Sequence, residues 1–306
     1  MTAGHDERQA VLSVGRIYCD LIFTGLDRLP VLGREVFADD LTIAAGGGAF
    51  ISAAHFAGIG RHAALVGRLG HDPLSRAIER QLETSGIDLG FLERADDAGP
   101  QVTVASVLDG ERAFLTKRAG RAEPSTLDDA LAWRKAGHLH IAEYATLAEI
   151  PDLVKRARAA GLTVSLDPSW DDTLIGDPGL IAACYGVDVF LPNLEEARII
   201  TGENEPAAMC DRLAGHFPVV AIKAGAEGAY LAASDLRLHA PAEVVSVIDT
   251  TGAGDAFNAG FVDAWLDGEA LQRCLAAAIG AGSRAVQVAG GAGAGAADTA
   301  AAENGT

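Results

Sequence analysis

The sequence predicts an α/β fold in three layers, a mostly parallel sheet covered by helices on both faces. Short apolar runs rich in Val, Ile and Leu alternate along the chain with helix-like segments. Such alternation is typical of parallel sheets that are buried on both faces. Two stretches, 21–45 and 101–117, break the alternation with extended, β-like character. We therefore expect a large parallel sheet and a separate, smaller piece of β-structure.

The individual elements follow from the apolar runs and their boundaries. The predicted helix at 73–85 is amphipathic, with apolar residues at helical spacing. In 101–117, two β-like runs flank Asp109-Gly110, a dipeptide that favours a tight hairpin turn. The other predicted elements are strands at 11–17, 63–66, 139–142, 163–166, 187–191 and 219–222, and helices at 50–60 and 271–288.

The most informative stretch is 249–257, which reads Asp-Thr-Thr-Gly-Ala-Gly-Asp-Ala-Phe. An apolar run at 244–248 precedes it and predicts a strand, and an apolar segment with helical spacing follows it. At such a strand-to-helix turn the N–H groups of Gly252, Ala253 and Gly254 would be free, at the positive end of the helix dipole. The sequence therefore predicts an anion site there, phosphate above all.

Asp255 comes directly after these glycines. A carboxylate there can take a proton from a hydroxyl nucleophile, while the amides hold the charge of a phosphoryl group in transfer. Other classes lack their motifs: the chain has no Gly-x-x-x-x-Gly-Lys-Ser/Thr, no Gly-x-Gly-x-x-Gly after the first strand and no Gly-x-Ser-x-Gly. The motif thus favours phosphoryl transfer over dehydrogenase or hydrolase chemistry.

Composition narrows the class of partner. The 306 residues include 24 basic and 42 acidic ones, a net charge of −18, which argues against nucleic acid or an anionic membrane as a partner. Four cysteines form no Cys-x-x-Cys pair, and no apolar run has transmembrane length, so we expect free thiols and a cytoplasmic protein. Residues 1–8 lack a signal-peptide pattern, the histidines are predicted at the surface or at strand ends, and 290–306 is predicted to be a flexible tail.

The stretch 249–257 resembles the signature of the ribokinase-like, or phosphofructokinase-B (PfkB) type, carbohydrate kinases. The resemblance covers most of the chain and implies a single kinase domain with a β-lid. Such a lid closes over substrate and excludes water. Because exposed lid strands in this family often pair between subunits, the resemblance also implies a homodimer. The implied division of residues 1–306 is an α/β core at about 1–17, 46–94 and 120–289, a lid at about 18–45 and 95–119, and the tail at 290–306.

On the acceptor side, the resemblance implies four residues besides Asp255. Asp20 follows the first strand and would hold sugar hydroxyls, since a carboxylate accepts hydrogen bonds from neighbouring hydroxyls. Gly46 and Gly47 would let the backbone approach the substrate closely. Glu143, just past the strand at 139–142, would contact the sugar, and a solvated loop residue is the alternative.

Three further acceptor-side residues depart from the family pattern or leave it ambiguous. Ile51 and Tyr18 stand where many sugar kinases carry Asn. An isoleucine cannot bond a hydroxyl, and an unpaired polar group against it would cost roughly 1–3 kcal/mol, which makes a nucleoside or a modified sugar plausible; Tyr18 could stack on a ring or donate its hydroxyl. Arg118 would bind the carboxylate of a sugar acid or be a surface cation. Asp171 stands where sugar-acid kinases usually carry a second Arg, which weakens the sugar-acid interpretation.

On the cofactor side, Asn193 and Glu196 resemble the family's Asn-x-x-Glu motif. They would serve Mg²⁺, mostly through water, because Mg²⁺ retains much of its hydration shell. The same spacing also predicts a helix capping box, the alternative interpretation.

The nucleotide would lie along the turn that follows the strand at 219–222. Lys223 could pair with a phosphate, and Gly225 and Gly228 would allow close approach of the ATP phosphates and ribose. Adenine would lie between this turn and the Ala- and Gly-rich helix at 271–288, near Gly280.

Together these features predict an ATP- and Mg²⁺-dependent kinase, with dependence on a monovalent cation left open. It would phosphorylate a primary hydroxyl of a sugar or sugar-like molecule, with Asp255 as base and Gly252, Ala253 and Gly254 as anion hole. A nucleoside kinase or a sugar-acid kinase on the same fold is the alternative. A non-catalytic protein that senses a sugar or nucleotide is the alternative of another class.

Overall fold

The computed structural model describes residues 9–108 and 111–292, and within them the strands form two sheets. The larger sheet has nine strands and the smaller has four. The strands are β1 Ala10–Val14, β2 Tyr18–Thr24, β3 Asp40–Gly46, β4 Ala63–Leu69, β5 Leu92–Arg94, β6 Gln101–Leu108, β7 Glu111–Lys117, β8 Ala136–Ile141, β9 Thr163–Leu166, β10 Val189–Phe190, β11 Val219–Lys223, β12 Ala229–Ala233 and β13 Leu236–Ala240.

The larger sheet is mostly parallel, as the sequence predicts. Its strand order is β13-β12-β11-β10-β9-β8-β1-β4-β5, and only the pairs β11–β12 and β12–β13 are antiparallel. The helices are α1 Gly48–Gly58, α2 Pro73–Glu83, α3 Leu127–Leu131, α4 Tyr144–Glu149, α5 Leu153–Ala159, α6 Leu180–Ala183, α7 Leu194–Thr201, α8 Pro206–Ala214, α9 Ala253–Leu266 and α10 Leu271–Ala285.

Helices cover both faces of this sheet, so the three-layer prediction is confirmed. Along β1, Val11 belongs to the core on one face, with Phe56 of α1 and Phe261 of α9. Leu12 and Val14 belong to the core on the other face, which the helices α3 to α8 cover. Successive residues of a strand point to opposite faces, and both faces of β1 are apolar because both are covered. No described helix is long and apolar enough to cross a membrane.

The smaller sheet has the order β3-β2-β6-β7. β2 pairs with β6 in parallel, and the other two pairs are antiparallel. The predicted hairpin is confirmed as β6 and β7, with a register that runs from Val102 opposite Lys117 to Leu108 opposite Glu111; its Asp109-Gly110 turn lies outside the described residues. Gln81 of α2 ties β3 to the core, because its side chain accepts from the Ala45 N–H and donates to the Ile43 carbonyl.

One predicted strand is wrong. Residues 244–248 form no strand, and the side chains of Val244, Val247 and Ile248 are exposed. The chain leaves the sheet after β13 and crosses to α10, where the Ile248 N–H donates to the Val286 carbonyl at 2.7 Å. An apolar run with strand-like composition becomes a strand only where a neighbouring strand offers a ladder and a covered face.

The histidine prediction is also wrong for His138 and His140, which are fully buried within β8. Hydroxyls of the neighbouring strand β9 make this burial tolerable. His138 bonds Thr163 and Ser165, and the Nδ1 of His140 bonds the same Ser165 at 2.8 Å. Burial lowers the pKa of both imidazoles, that of His140 to about 4, so both rings are neutral at pH 7. The predicted tail is described only to residue 292, and 293–306 lie outside the described residues.

Candidate active site

A cleft of about 400 Å³ lies at the carboxyl ends of the parallel strands, beside the start of α9. Ligands of open α/β sheets bind at this edge. The cleft brings together many of the residues singled out in the sequence, from six different strands, helices and turns. Its lining is Tyr18, Gly48, Ala142, Glu143, Asp167, Ser169, Asn193, Glu196, Lys223, Gly225, Gly254 and Asp255.

The Gly-Ala-Gly stretch forms the N-terminus of α9, a helix of 14 residues that begins at Ala253. Gly252 is its N-cap, with φ 74°, and a Cβ on Gly252 would lie 2.1 Å from the Gly291 carbonyl oxygen. Only glycine fits that position. The following N–H groups begin the helix, where its dipole is positive. A loop rather than a strand leads into this turn, and the Ala253 N–H, predicted to be free, lies 3.3 Å from the Thr250 carbonyl. The anion site at this turn stays a prediction.

Asp255 lies in the first turn of α9 and lines the cleft. Its Oδ1 accepts a hydrogen bond of 2.8 Å from the Ser52 hydroxyl of α1. Burial, and secondly repulsion from Asp167, raise the pKa of Asp255 to about 7, against the opposing effects of Ser52 and Lys223. A carboxyl group with that pKa exchanges a proton near neutral pH, as a general base must.

Lys223 points into a cluster of carboxylates. Its Nζ donates to Asp167 Oδ2 and lies 3.3 Å from Asn258 Oδ1, and Asn258 Nδ2 donates to the same Asp167 oxygen at 2.6 Å. Burial by itself would lower the pKa of Lys223, but Asp167, Glu196 and Asp255 raise it. The lysine thus stays charged among three carboxylates. The sequence predicts a phosphate as its partner, and in this structure its partners are side chains.

Asn193 and Glu196 form the capping box that their spacing allows. Asn193 Oδ1 accepts from the Glu196 N–H at 2.9 Å, and Glu196 Oε2 accepts from the Asn193 N–H at 2.8 Å. Both side chains also line the cleft. Burial, and secondly Asp167, raise the pKa of Glu196 to about 7, so an incoming cation would stabilise its ionised form.

Asn193 and Glu196 could supply only part of the coordination shell of a magnesium ion. Among the described residues, no three His, Cys, Asp or Glu side chains cluster as a metal site. Mg²⁺ is ordinarily held by one or two carboxylates together with waters and substrate phosphates. The donors present match that mode rather than an all-protein cage.

At the acceptor end, Asp20 of β2 lies against Gly46 of β3. A Cβ on Gly46 would lie 2.1 Å from Asp20 Oδ2, so a larger residue there would displace the Asp20 carboxylate. Gly47 has φ 93°, and a Cβ on it would lie 2.5 Å from the Arg16 carbonyl oxygen. Burial raises the pKa of Asp20 to about 6, with Arg112 opposing. The two glycines therefore admit the Asp20 carboxylate and turn the chain from β3 into α1.

Tyr18 and Glu143 form a fixed pair in the cleft. The Tyr18 hydroxyl donates to Glu143 Oε2 at 2.9 Å, and Glu143 Oε1 accepts from the Thr146 hydroxyl at 2.8 Å and from the Arg16 N–H at 3.3 Å. Burial, and secondly Glu143, raise the pKa of Tyr18 well above its usual value. Ile51 lies apart from this pair, buried against Gly291, where a Cβ on the glycine would be 2.8 Å from Ile51 Cδ1.

Two arginines join the smaller sheet to loops of the larger one. Arg118 Nη2 donates to Asp171 Oδ2 at 2.7 Å. The guanidinium group proposed to bind a sugar carboxylate is therefore paired with an aspartate in this structure. Arg112 Nη2 donates to Asp249 Oδ1 at 2.5 Å, and its Nη1 donates to the Thr251 hydroxyl. Thr251 and Asp249 precede the Gly252-Ala253-Gly254 turn, which we call the anion turn after its predicted role. We call these two contacts the arginine bridges.

Of the three glycines predicted to bind the nucleotide beside Lys223, only Gly225 lines the cleft. Gly225, with φ 55°, lines the cleft and has open space around its Cβ position. Gly228, with φ 94°, is required by the backbone, since a Cβ on it would lie 2.0 Å from the Ala240 carbonyl oxygen. Gly280 lies on α10 outside the described lining, with Arg284 Nη1 3.4 Å from its Cβ position.

The sequence did not point to Asp167, Asn258, Ser52 or Arg112, whose side chains contact residues in or beside the cleft. Asn258 follows Asp255 by three residues, a spacing that places both on one face of a helix, and this signal was available. Ser52 and Arg112 meet their partners across 203 and 137–139 residues, and no local pattern reports such contacts.

Comparisons with known proteins point in one direction. The model of a family described as pfkB family carbohydrate kinase matches residues 8–297. An ATP-dependent ribose-1-phosphate kinase from Halopiger xanaduensis is 32% identical over 277 residues, 87% of this chain and 88% of the relative. A 2-dehydro-3-deoxygluconokinase from Bacillus subtilis is 32% identical over 232 residues, 68% of this chain and 71% of the relative. The structure of Arabidopsis thaliana ribokinase complexed with ribose and ATP matches with a TM-score of 0.81 at 25% identity, over 93% of this chain and 94% of that one.

Proposed function

The chain belongs to the pfkB family of carbohydrate kinases, which are ATP-dependent phosphotransferases, and we propose that it transfers the γ-phosphoryl group of ATP to a primary hydroxyl of a sugar or sugar-like molecule through Asp255. One observation carries the proposal. Asp255 lies one residue after Gly254 at the start of α9, and its pKa is raised to about 7. A proton acceptor and an anion site therefore adjoin in one cleft.

In this mechanism Asp255 takes the proton of the acceptor hydroxyl as its oxygen attacks the γ-phosphorus. The N–H groups of Gly252, Ala253 and Gly254 hold the charge that develops on the phosphoryl oxygens. Ser52 orients the Asp255 carboxylate and favours its ionised form. As the new P–O bond forms, the bond between the γ-phosphorus and the β,γ-bridging oxygen of ATP breaks. ADP and the phosphorylated acceptor then leave the cleft, and Asp255 releases its proton to solvent, which restores the base.

Mg²⁺ belongs to the same proposal. Asn193 and Glu196 would hold it, mostly through water, and the ion would neutralise charge on the phosphates of ATP. Lys223, Gly225 and Gly228 stay the proposed nucleotide-side residues. Lys223 acts there by keeping Asp167 and Asn258 in place, or by exchanging Asp167 for a phosphate when ATP binds.

The acceptor we favour is a neutral polyhydroxyl compound. Asp20 and Glu143 supply carboxylate oxygens, which accept hydrogen bonds from hydroxyls, and Tyr18 lies beside Glu143 with its hydroxyl engaged. A second candidate is an anionic acceptor, supported by the likeness to a ribose-1-phosphate kinase. Arg112 or Arg118 would then exchange an aspartate for the anionic group of the substrate, at small cost because exposed ion pairs contribute about 0–1 kcal/mol.

We also propose that the smaller sheet is a lid and that two chains pair through it. The residues Ile43, Leu21, Val104 and Leu115 lie side by side across its four strands. Leu115 is 74% exposed and Ile43 38%. An apolar row of this kind on a sheet face favours burial against a second copy. A cytoplasmic location belongs to the proposal as well, on the free, buried cysteines.

The experiment is coupled ADP release with MgATP and a panel of pentoses, hexoses, sugar phosphates, sugar acids and nucleosides, with Asp255→Asn as the blank. Turnover on a neutral sugar that the variant loses supports the proposal. Turnover restricted to sugar phosphates or sugar acids would replace the neutral acceptor by the anionic one. ATP binding without turnover on any acceptor would favour a sensing protein.

A further inference from the structure

Two described residues other than glycine have a left-handed backbone, Ser169 with φ 54° and Ser234 with φ 45°. This conformation strains a residue that carries a Cβ, whereas glycine adopts it freely. Ser234 is exposed in the two-residue turn between β12 and β13, and such hairpin turns need a left-handed backbone. Ser169 belongs to no hairpin. It follows β9 by three residues and lines the active-site cleft, a location where strained residues often serve function.

The loop after β9 holds Ser169 through backbone groups. The Ser169 N–H donates to Asp167 Oδ1 at 3.1 Å, and the Tyr144 N–H donates to the carbonyl of the preceding Pro168 at 2.9 Å. Neither bond uses the Ser169 side chain, so glycine at this position would keep both bonds and avoid the strain. The presence of a serine therefore indicates a use for its hydroxyl.

The Ser169 hydroxyl is available to a ligand. It makes no hydrogen bond with any described residue, whereas each other polar side chain of the cleft lining makes at least one. Those side chains are Tyr18, Glu143, Asp167, Asn193, Glu196, Lys223 and Asp255. Most of them are carboxylates, which only accept hydrogen bonds when ionised. Ser169 therefore offers a free donor in a cleft whose other side chains are already engaged.

The strand order places Ser169 between the two halves of the proposed site. β9 lies between β8 and β10 in the larger sheet. β8 leads to Glu143 on the proposed acceptor side, and β10 leads to Asn193 on the proposed nucleotide side. Because the carboxyl ends of parallel strands share one edge of the sheet, the loop after β9 lies where the γ-phosphoryl group would pass from ATP to the acceptor.

We propose that the Ser169 hydroxyl donates a hydrogen bond to an oxygen of the γ-phosphoryl group of ATP. This inference rests on the proposed function and adds a donor from the loop after β9 to the N–H groups of the anion turn. A phosphoryl oxygen carries negative charge, and hydrogen bonds to charged acceptors are stronger than neutral ones. Such a bond accounts for a serine at a position whose backbone suits glycine better.

Nucleotide affinity tests this bond without turnover and without knowledge of the acceptor. Calorimetry gives the Kd of MgADP and of a MgATP analogue whose β,γ bridge cannot be hydrolysed. Ser169→Ala should weaken binding of the analogue by about 10- to 100-fold, the effect of losing a hydrogen bond to a charged group. It should leave MgADP binding unchanged, because ADP has no γ-phosphoryl group. Ser234→Ala is the matched control and should change neither affinity. Equal weakening of both nucleotides by Ser169→Ala, or weakening of neither, would overturn the inference.

Ser169→Gly separates the hydroxyl from the stability of the loop, because it removes the hydroxyl and relieves the strain. We expect this variant to melt no lower than the parent and to lose affinity for the analogue as Ser169→Ala does. Ser234→Gly should also melt no lower than the parent and should keep its affinity for the analogue. A lower melting temperature of Ser169→Gly together with weaker binding of both nucleotides would show that Ser169 has only a structural role.

The outcomes distinguish this inference from the proposed function. A parent protein that binds the analogue more tightly than MgADP but phosphorylates no acceptor would refute the proposed phosphoryl transfer and leave Ser169 as a ligand of the γ-phosphoryl group. Turnover on an acceptor, combined with unchanged nucleotide affinities in Ser169→Ala, would refute the role of Ser169 alone. A parent that binds neither nucleotide would refute both.

Discussion

Asp255 and Glu196 both interact electrostatically with the ammonium group of Lys223 and with the Asp167 carboxylate. Burial, and secondly Asp167, raise the pKa of both Asp255 and Glu196 to about 7. Because these groups interact, a titration would report pKa values of the cluster and not of single residues. The chemistry that needs an ionised Asp255 therefore switches on close to neutral pH.

The pH profile of kcat/KM tests this arrangement. The base is active when deprotonated, and its pKa is raised, so activity should rise with pH through an apparent pKa near 7 and level off above it. The measurement is kcat/KM for the best acceptor between pH 5.5 and 9. A profile that stays flat from pH 5.5 to 8 would contradict the assignment.

Ser52 should act on the reaction through Asp255. Its hydroxyl bonds Asp255 Oδ1 at 2.8 Å and lowers the pKa of that carboxyl. Ser52→Ala should therefore raise this pKa and move the acid limb of the profile upward by about one pH unit. Ser85→Ala, which removes a hydroxyl bonded to the Leu82 carbonyl of α2, is the control and should move nothing. A uniform loss of activity at every pH would mean that Ser52 has only a structural role.

The raised pKa values also predict how stability changes with pH. Between about pH 4 and 7 the folded protein keeps protons on Asp255 that the unfolded chain has released, so the free energy of unfolding falls as pH rises. Asp255→Asn removes this effect. The variant should be more stable than the parent at pH 8, by an amount on the order of a few kcal/mol, and the gain should shrink at pH 5. Urea unfolding at both pH values measures it, and a less stable variant at pH 8 would contradict the account.

At the scale of elements, the arginine bridges connect β7 and the residue that follows it to the loops that flank the cleft. Both are partly exposed, with side-chain exposures of 32% for Arg112 and 40% for Arg118. Exposed ion pairs contribute about 0–1 kcal/mol. They are therefore suited to hold the smaller sheet in position while letting it move when substrate enters.

Removing one bridge should change substrate binding more than stability. For Arg112→Gln we expect an acceptor KM raised severalfold and faster hydrogen exchange in β7, with the free energy of unfolding lowered by less than about 1 kcal/mol. Arg237→Gln, which breaks the exposed pair between Arg237 of β13 and Asp211 of α8, is the matched control and should leave KM and β7 exchange unchanged. Unaltered acceptor KM and exchange in Arg112→Gln would show that the bridge does not position the sheet.

The elements that the sequence predicted correctly share a physical feature. The β1 run is apolar on both faces because both faces are buried, and the α2 pattern is amphipathic because one face is. The sequence led to a wrong prediction where an element needs a partner from elsewhere in the chain. Residues 244–248 have a strand-like composition, but no neighbouring strand pairs with them. His138 and His140 were misplaced because Thr163 and Ser165, which satisfy them, come from another strand.

In the site, too, the features that are local in sequence were predicted and the contacts between distant segments were not. The anion turn and the Asn193–Glu196 pair are local in sequence, and their positions in the cleft could be anticipated. The Lys223–Asp167 contact and the Ser52–Asp255 contact join distant segments, so only the fold reveals them. Hydrogen bonds between distant residues leave no periodic pattern in a single sequence.

At the scale of the whole molecule, the apolar row on the smaller sheet, in which Ile43 and Leu115 are exposed, predicts self-association. Leu115 lies in that row opposite Val104, whereas Phe114 lies opposite Ala105 on the other face. Leu115→Asp should convert the proposed dimer to a monomer, because it places a charge in the interface. Phe114→Asp, with its side chain 64% exposed, is the control and should stay a dimer. Sedimentation at micromolar concentration measures both, and a monomeric parent protein would contradict the prediction.

The central claim is that this protein phosphorylates a hydroxyl with Asp255 as the base, and the most direct test is the kcat of Asp255→Asn with the best acceptor at pH 8. Asp235→Asn, at an exposed turn between β12 and β13, is the matched control. We expect a loss of about 10²–10⁴-fold in Asp255→Asn, unchanged kcat in Asp235→Asn, and ATP binding retained by both. Turnover within a few fold of the parent in Asp255→Asn would contradict the claim.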